Sequence, residues 1–348
     1  MVNKSFKIGK ITINDLQPAL IVPEIGINHG GKIEVAIKMV DSAKRAGAKI
    51  IKHQTHIPND EMSNEAKKVK PGNSKKNIFS IIKSCSLNLE EEYLLMQYVL
   101  KKNLSFISTP FSKLAVDRLV KFGVQAFKIG SGEFNNFPLL EYASKFKKPM
   151  ILSTGMNDLN SIKTVYNFLK KKKINFAFLH TTSLYPTPDH LVRLNCLNIL
   201  RKNFPNINIG YSDHTKCITA ATSAISMGAK IIEKHFTDIK SRKGPDIICS
   251  MDEKELQKLI LFSEKNYQQF QGNKNSIKEE KVTKNFAFVS VVSDKLIKKG
   301  KKLSKSNLWV RRPGNGDFQI KDLKKLYGKK VNQDIPPNIQ IKKKNINF

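Results

Sequence analysis

The chain has 348 residues, of which 40% are hydrophobic and 26% are charged, and its formal net charge is +32. This length allows one large and one small folded domain, and no apolar run reaches the roughly 18–20 residues that a membrane-spanning helix needs. Only seven of the 61 basic residues are Arg, the side chain on which specific nucleic-acid sites rely. We therefore interpret the charge as a Lys-rich, solvated surface, part of which could steer an anionic substrate.

The compartment is predicted from the N-terminus and the cysteines. The first ten residues lack the apolar segment of a signal peptide. The four cysteines lie far apart without CxxC spacing, as is typical of reduced structural thiols. We expect a cytoplasmic protein that binds neither nucleic acid nor a membrane.

Eight short apolar segments recur between residues 18 and 236, and helix-length segments separate most of them. Because parallel strands need crossovers of about a dozen residues, this alternation predicts a (β/α)8 barrel, whose active site forms at the carboxyl ends of its strands. Nearly every segment ends on a residue capable of chemistry. In chain order these ends are Glu24, Lys52 to Gln54, Thr109, Lys128 to Ser131, Ser153 and Thr154, His180 to Thr182, Ser212 to His214, and Glu233 to His235.

The barrel domain is predicted to span residues 1–271. Residues 1–17 are interpreted as a short lead-in that could form a small hairpin closing the barrel floor. The segment 55–88 is long for a strand-to-helix connection, and long ordered loops on the catalytic face are commonly functional.

The composition changes after the barrel. Residues 272–284 are polar and charged, as linkers are. In residues 285–348, short β-type runs at Phe286–Val292 and Asn307–Val310 alternate with turns. This pattern predicts a linker followed by a small second domain.

Two histidines follow neighbouring strands of the predicted barrel. His214 ends the seventh strand and His235 ends the eighth, so both are expected at the barrel mouth. Two imidazoles on adjacent strands can share a divalent ion and leave other positions to water and substrate. The alternative is a pair of buried or capping histidines. Because Asp213, Glu233 and Asp246 lie close by in the sequence, we favour a site for Mn²⁺ or Mg²⁺, with no organic cofactor.

Two lysines lie near strand ends within apolar sequence. A buried ammonium group is costly unless an anion pairs with it. Lys52 and Lys128 are therefore predicted to bind an anionic substrate group such as phosphate, although a single lysine could instead extend to solvent. Strand-end hydroxyl groups that could share this role are those of Thr109, Ser131 and Ser212.

Two carboxylates are candidates for catalysis. Glu133 lies just past the fourth strand and could act as a general base. Glu24 follows Pro23 on the first strand and could bind a polyol hydroxyl. Each could instead be a structural salt-bridge partner, and these patterns alone leave that alternative open.

Several segments resemble the sialic acid synthase family, particularly its bacterial N-acetylneuraminate synthases and the related legionaminate synthases. The match covers essentially the whole chain, and Leu308–Gly316 is similar to the antifreeze-like C-terminal domain of that family. Gly30 is a departure, because Asn commonly follows the Asn-His pair at this position. The matching barrel segments are Val22–His29, Ile51–His56, Asp60–Ser63, Phe127–Glu133, Thr181–Pro188, Tyr211–His214, Glu233–Thr237 and Gly244–Asp246.

The resemblance implies that phosphoenolpyruvate condenses with open-chain N-acetylmannosamine to give N-acetylneuraminate and phosphate. It implies Mn²⁺ or Mg²⁺ at His214 and His235, and a domain-swapped homodimer in which Arg312 reaches the partner's sugar site, although the adjacent Arg311 leaves open which guanidinium does so. The residues implied for phosphoenolpyruvate are Lys52, Thr109, Lys128, Ser131, Tyr185 and Ser212, with Ser183 in the same loop. Those implied for the sugar or the reacting carbons are Glu24, Gln54, Asn73, Glu133 and Asp246.

Other functions remain open at this point. A legionaminate-type synthase would use a 2,4-diacetamido-6-deoxy-mannose, which shares the reacting end of the sugar. A barrel aldolase would form a Schiff base, and Lys128 is placed for it. A non-enzymatic, sugar-binding barrel would leave the two lysines and the two histidines unexplained.

Overall fold

The computed structural model describes residues 4–71 and 76–347. The chain forms two compact units, with the boundary between Gln271 and Gly272. Among the described residues, none of the helices combines the length and apolar character that crossing a membrane requires.

The first unit is the predicted closed barrel of eight parallel strands. Neighbouring strands follow the chain order, and β10 pairs with β3 to close the barrel. The sequence therefore predicted this fold correctly. The barrel strands are β3 Leu20–Gly26, β4 Ile50–Thr55, β5 Ser105–Pro110, β6 Phe127–Ile129, β7 Met150–Ser153, β8 Phe176–Thr181, β9 Asn208–Asp213 and β10 Ile231–His235.

Helices surround the barrel, and several carry clear start signals. Asn88 and Asp252 begin α4 and α10 with capping boxes, in which a side chain at each helix start exchanges hydrogen bonds with the third helical residue. The helices are α1 Ile33–Arg45, α2 Pro58–Glu61, α3 Ile78–Cys85, α4 Leu89–Lys101, α5 Lys113–Phe122, α6 Phe137–Ser144, α7 Leu159–Lys171, α8 Cys196–Asn203, α9 Thr219–Ser226 and α10 Glu253–Gln269.

The barrel floor is apolar. The hairpin of β1 Phe6–Ile8 and β2 Ile11–Ile13 precedes the barrel. Its residues Ile8 and Ile13 pack in one buried cluster with the first residues of the barrel strands, such as Leu20 and Ile50. This end of the barrel is a packed core, so polar chemistry is confined to the opposite, carboxyl end of the strands.

The second unit has its own apolar core, which includes Val291, Leu308 and Ile341. Its regular elements are α11 Lys281–Ala287, β11 Ser290–Ser293, β12 Leu308–Arg311 and α12 Leu323–Leu326, and β11 pairs with β12 in antiparallel register. Part of the segment interpreted as a linker is therefore helical. The β-type run expected from Phe286 is also wrong at its start, because Phe286 belongs to α11 and the strand begins at Ser290.

Candidate active site

A cleft of about 330 Å³ opens at the carboxyl ends of the barrel strands. This volume is in the range of small-molecule sites in proteins. Polar side chains from all eight strands, or from the loops that follow them, lie around it. The lining residues are Glu24, Lys52, Gln54, Thr109, Phe111, Lys128, Gly130, Ser131, Gly132, Ser153, Met156, Thr181, Ser183, Tyr185, Ser212, His214, Glu233 and His235.

Strand β4 contributes alternate residues to the cleft. Successive side chains of a strand point to opposite faces, so Lys52 and Gln54 line the cleft while His53 and Thr55 face outward. The two outward side chains contact the carboxylate of Glu92 on α4. His53 and Thr55 are therefore held in a buried polar layer between the barrel and its helices.

Lys52 lies between two carboxylates. Its ammonium group donates to Glu24 and lies 3.5 Å from Glu233 Oε1. The three side chains are at most 4% exposed. The pKa of Glu24 is held far below its usual value, because the attraction of Lys52 and His235 outweighs the burial that would raise it. The pair is therefore ionised, and Lys52 stays charged in a dry environment.

Lys128 shares the same carboxylate. Its Nζ donates to Ser153 Oγ at 2.8 Å and lies 3.4 Å from Glu233 Oε1. Burial lowers the pKa of Lys128 to about 8, helped by repulsion from Lys52 and opposed by attraction to Glu233. Glu233 also accepts from Ser212 Oγ at 3.1 Å. Glu233 thus joins the two ammonium groups, so the anion site expected from the lysines contains a carboxylate of its own.

Hydroxyl groups and glycines form the adjacent wall. Thr109 Oγ1 and Ser183 Oγ are buried and have no hydrogen-bond partner among the described residues, as is expected of groups that bind a ligand. Ser131 Oγ accepts from the amide of Gly155 at 3.1 Å. A Cβ atom at Gly155 would lie 2.4 Å from Ser183 Oγ. Only glycine therefore lets the two serines approach each other here.

The two histidines lie together at the cleft. The ring centroids of His214 and His235 are 5.5 Å apart, and the Tyr185 ring stacks on His214 at 4.1 Å. His214 Nδ1 lies 2.9 Å from the carbonyl oxygen of Thr182, so Nδ1 carries the proton and Nε2 retains a lone pair. Burial, with repulsion from His235, lowers the pKa of His214 to about 3. Its ring is neutral at pH 7, which is the form that binds metals.

These donors fit a divalent cation. His235 Nδ1 is buried without a hydrogen-bond partner in the described part of the chain. Asp246 Oδ2 lies 3.7 Å from that atom, and a carboxylate commonly orients a metal-binding imidazole in this way. In residues 4–71 and 76–347 no group of three or more His, Cys, Asp or Glu is arranged as a metal site. Two imidazoles would thus leave the remaining positions to water and substrate.

Most of the predicted site residues meet at this cleft, but Glu133 and Asp246 do not line it. Glu133 follows the lining residue Gly132, and its carboxylate accepts from Asn136 Nδ2 at 2.5 Å. The carboxylate of Asp246 lies 3.7 Å from His235 Nδ1. Arg312 is an exposed residue of the second unit. Asn73 lies outside the described residues. The lining residues that were predicted are Glu24, Lys52, Gln54, Thr109, Lys128, Ser131, Ser183, Tyr185, Ser212, His214 and His235.

Other cleft residues were not assigned a role from the sequence. Ser153 ends β7, and Glu233 lies two residues before the end of β10; this position near the carboxyl end of a strand was the available signal for them. Phe111, which lines the cleft, and Gly155, which lies beside it, gave no such signal. Their roles come from contacts with residues that are distant in the sequence.

Comparisons with known proteins agree with this architecture. Residues 39–276 match the NeuB family model, and residues 288–347 match the SAF domain model. The resemblance to sialic acid synthases is therefore confirmed, and the second unit is of the expected antifreeze-like type.

Individual relatives cover most of the chain. An N,N'-diacetyllegionaminic acid synthase of Campylobacter jejuni is 36% identical over 86% of this chain and 92% of its own. The human N-acetylneuraminate-9-phosphate synthase is 35% identical over 70% of this chain and 68% of its own. The crystal structure of an N-acetylneuraminic acid synthetase from Leptospira borgpetersenii, in complex with citrate, matches with a TM-score of 0.73 and 31% identity over 81% of this chain and 95% of its own.

Proposed function

The chain belongs to the NeuB family, and we propose that it condenses phosphoenolpyruvate with N-acetylmannosamine to give N-acetylneuraminate and phosphate. One observation carries the proposal. Two desolvated lysines joined by Glu233 lie in the same cleft as two neighbouring histidines. An anionic substrate and an aldehyde can therefore be bound side by side.

Phosphoenolpyruvate is the proposed ligand of the lysine end of the cleft. The ammonium groups of Lys52 and Lys128 would pair with its phosphate and carboxylate, and charge-assisted hydrogen bonds of this kind are among the strongest in proteins. Hydroxyl donors nearby would complete its hydrogen bonds. These are the side chains of Thr109, Ser131, Ser183, Tyr185 and Ser212.

The proposed reaction forms one carbon–carbon bond and breaks one carbon–oxygen bond. C3 of phosphoenolpyruvate attacks the aldehyde carbon of the open-chain sugar, and the aldehyde oxygen takes up a proton. Positive charge then develops at C2, where water adds and loses a proton. The C2–O bond to phosphate then breaks, phosphate leaves with the bonding electron pair, and the new C2 hydroxyl gives up its proton so that C2 becomes a ketone. Fixed lysines that offset the phosphate charge provide preorganised electrostatic stabilisation.

The histidine end of the cleft is proposed to hold Mn²⁺ or Mg²⁺ through His214 and His235. A bound divalent cation would supply Lewis acidity toward the sugar aldehyde. The chain's own contribution is to keep the His214 ring neutral and oriented through Thr182.

Glu133 is the proposed base for the attacking water. It adjoins Gly132, which lines the cleft, and Asn136 holds its carboxylate. Replacement by Gln would keep the size and remove the basicity. We expect a loss of about 10²–10⁴-fold in kcat, the usual contribution of general acid–base catalysis.

A domain-swapped homodimer is the proposed assembly. Within the second unit Arg311 pairs with Asp294 at 2.8 Å, whereas Arg312 is exposed. Arg312 is therefore the better candidate to reach a sugar bound in a partner subunit, where it could donate to an amide oxygen or a hydroxyl.

The second candidate is a legionaminate-type synthase that acts on a 2,4-diacetamido-6-deoxy-mannose. It is favoured by the relatives of that name, one of which aligns over 92% of its own length. A Schiff-base aldolase is the alternative of another class, because the lowered pKa of Lys128 would also suit an amine nucleophile.

A substrate panel tests these proposals. Phosphate release from phosphoenolpyruvate is measured with N-acetylmannosamine, its 6-phosphate and the diacetamido sugar. The proposed function requires metal-dependent release with N-acetylmannosamine as the preferred sugar. Preference for the diacetamido sugar would support the second candidate. Trapping of a Lys128 adduct by borohydride would instead support the aldolase.

A further inference from the structure

A chain of hydrogen bonds runs from the cleft into the loop after β4. Gln54 Nε2 donates to Glu24 Oε1 at 2.6 Å. Gln54 Oε1 lies 3.1 Å from His56 Nε2. His56 Nδ1 lies 3.0 Å from both carboxylate oxygens of Glu61, the last residue of α2. The side chains of Gln54 and His56 thus connect a cleft carboxylate to a second carboxylate outside the cleft.

The direction of this chain is set by its two ends. Glu24 accepts from the ammonium group of its ion-pair partner Lys52 as well as from Gln54. A carboxylate can only accept, so the amide nitrogen of Gln54 faces Glu24 and its carbonyl oxygen faces His56. The opposite amide orientation would bring two oxygens together at 2.6 Å.

Both ring nitrogens of His56 therefore face acceptors. Nε2 faces the Gln54 carbonyl, and Nδ1 faces the Glu61 carboxylate. A neutral imidazole has only one N–H, so one of these contacts would place a lone pair against an oxygen. The imidazolium form satisfies both contacts.

The surroundings of His56 also favour a cation. Its ring stacks on Phe111 with centroids 4.3 Å apart and planes 10° apart, and aromatic faces attract positive charge. The side chains of His56 and Glu61 are 4% and 6% exposed, so the pair is largely removed from water.

We propose that His56 is a positioning residue whose two N–H groups, one toward Gln54 and one toward Glu61, fix the Gln54 amide with its NH₂ group toward the cleft. This inference rests on the proposed function and on the contact of Gln54 with the amino sugar that the family resemblance implies. One amide hydrogen is used by Glu24, and the second is left for an oxygen of the sugar. Without His56 the amide would be held by Glu24 alone, so its second hydrogen would be aimed at the sugar less firmly.

The charge state is tested on the wild-type chain by ¹⁵N NMR. The protein has seven histidines, so its imidazole signals can be assigned by comparison with a His56→Phe variant. We expect both His56 nitrogens to be protonated at pH 7.5, and Glu61→Gln to return the ring to a neutral tautomer. A neutral His56 ring in the wild type would overturn the proposal. This measurement is independent of catalysis, so it stands even if no sugar proves to be a substrate.

The positioning role is tested by steady-state kinetics. His56→Phe should raise KM for the sugar by about tenfold, with KM for phosphoenolpyruvate changed less than twofold. The matched control is His190→Asn at an exposed histidine, which should change neither constant.

A double-mutant cycle separates positioning from a purely structural role. If His56 acts through Gln54, adding His56→Phe to Gln54→Ala should change the sugar KM by less than twofold. Independent, multiplicative effects of the two substitutions would overturn the role. Thermal unfolding of each variant identifies any loss that reflects misfolding, in which case Glu61→Gln replaces His56→Phe in the cycle.

Discussion

Lys234 and Asp213 form an ion pair at 2.9 Å in which neither side chain is exposed to solvent. They lie opposite each other on β10 and β9, each one residue before a histidine of the candidate metal site. Lys234 also donates to the carbonyl oxygen of Thr215, whose amide donates to Asp213. The pair therefore fixes the backbone on both sides of His214 and immediately before His235.

Replacement of Lys234 by Met should destabilise the protein strongly. The substitution leaves Asp213 buried and unpaired, and breaking a buried ion pair in this way typically costs about 3–5 kcal/mol. Urea unfolding followed by circular dichroism measures the change. Lys172→Met is the matched control, because Lys172 pairs with Glu141 at the surface and exposed pairs contribute about 1 kcal/mol or less. Equal losses in the two variants would contradict the role of burial.

Removal of one histidine should weaken metal binding. We expect His214→Ala to reduce Mn²⁺ affinity at least about tenfold, measured by calorimetry on the chelator-treated protein. His190→Ala, at an exposed histidine, should bind as the wild type does. Condensation should stop in chelator and resume when Mn²⁺ is added. Full activity of the His214→Ala, His235→Ala double variant in chelator would refute the assignment.

The pH dependence of catalysis should report Lys128. Its pKa of about 8 lies below the ordinary 10.5 because of burial, so the free enzyme loses this positive charge as pH rises through about 8. The value of kcat/KM for phosphoenolpyruvate should then fall, since kcat/KM follows the ionisation of the free enzyme. Glu233→Gln removes an attraction that raises the pKa, and should move the decline to lower pH. A decline unmoved by this variant would assign it to another group.

The proposed chemistry predicts cleavage of the C–O bond. Phosphoenolpyruvate carrying ¹⁸O at the bridging position should transfer the label to inorganic phosphate, because the electron pair of the C2–O bond leaves with the phosphate. Mass spectrometry of both products provides the measurement. Label found in the sugar acid would mean P–O cleavage and a different mechanism.

The proposed domain-swapped dimer predicts complementation between two impaired variants. Arg312→Ala should weaken productive sugar binding by about 2 kcal/mol, since hydrogen bonds to charged groups contribute about 1.5–3 kcal/mol. In mixed dimers with His214→Ala, one site combines an intact barrel with an intact Arg312, so activity should partly recover. Arg311→Ala is the matched control and should retain most activity. Absence of recovery despite verified subunit mixing would place Arg312 in its own subunit's site.

The sequence was most informative where chemistry coincides with strand ends. Lys52, Lys128, His214 and His235 could be identified because a barrel gathers the ends of its strands. Glu233 also lies near the end of a strand, yet its contact with both lysines depends on the register of β10 relative to the other strands of the barrel. The sequence alone gives no measure of that register.

Contacts between distant segments explain the remaining differences. Glu133 was expected in the cleft from its position after β6, but the local turn brings its carboxylate to Asn136. The helix α11 was missed because it has only seven residues and its last two, Phe286 and Ala287, are continuous with the apolar residues before β11. Gly155 could not be singled out. A side chain at this position would collide with Ser183, which lies 28 positions away in the printed sequence.

The alternation along β4 has a consequence for changes in chain length. Deletion of a single residue within Ile50–Thr55 would reverse the faces of the side chains that follow it. If the deletion precedes Lys52, then Lys52 and Gln54 would face Glu92, and His53 and Thr55 would enter the cleft. Such a deletion would remove both an ammonium group and an amide from the site. Insertions and deletions should be tolerated in the connecting loops instead, where redesign for another sugar is best attempted with every strand kept at its present length.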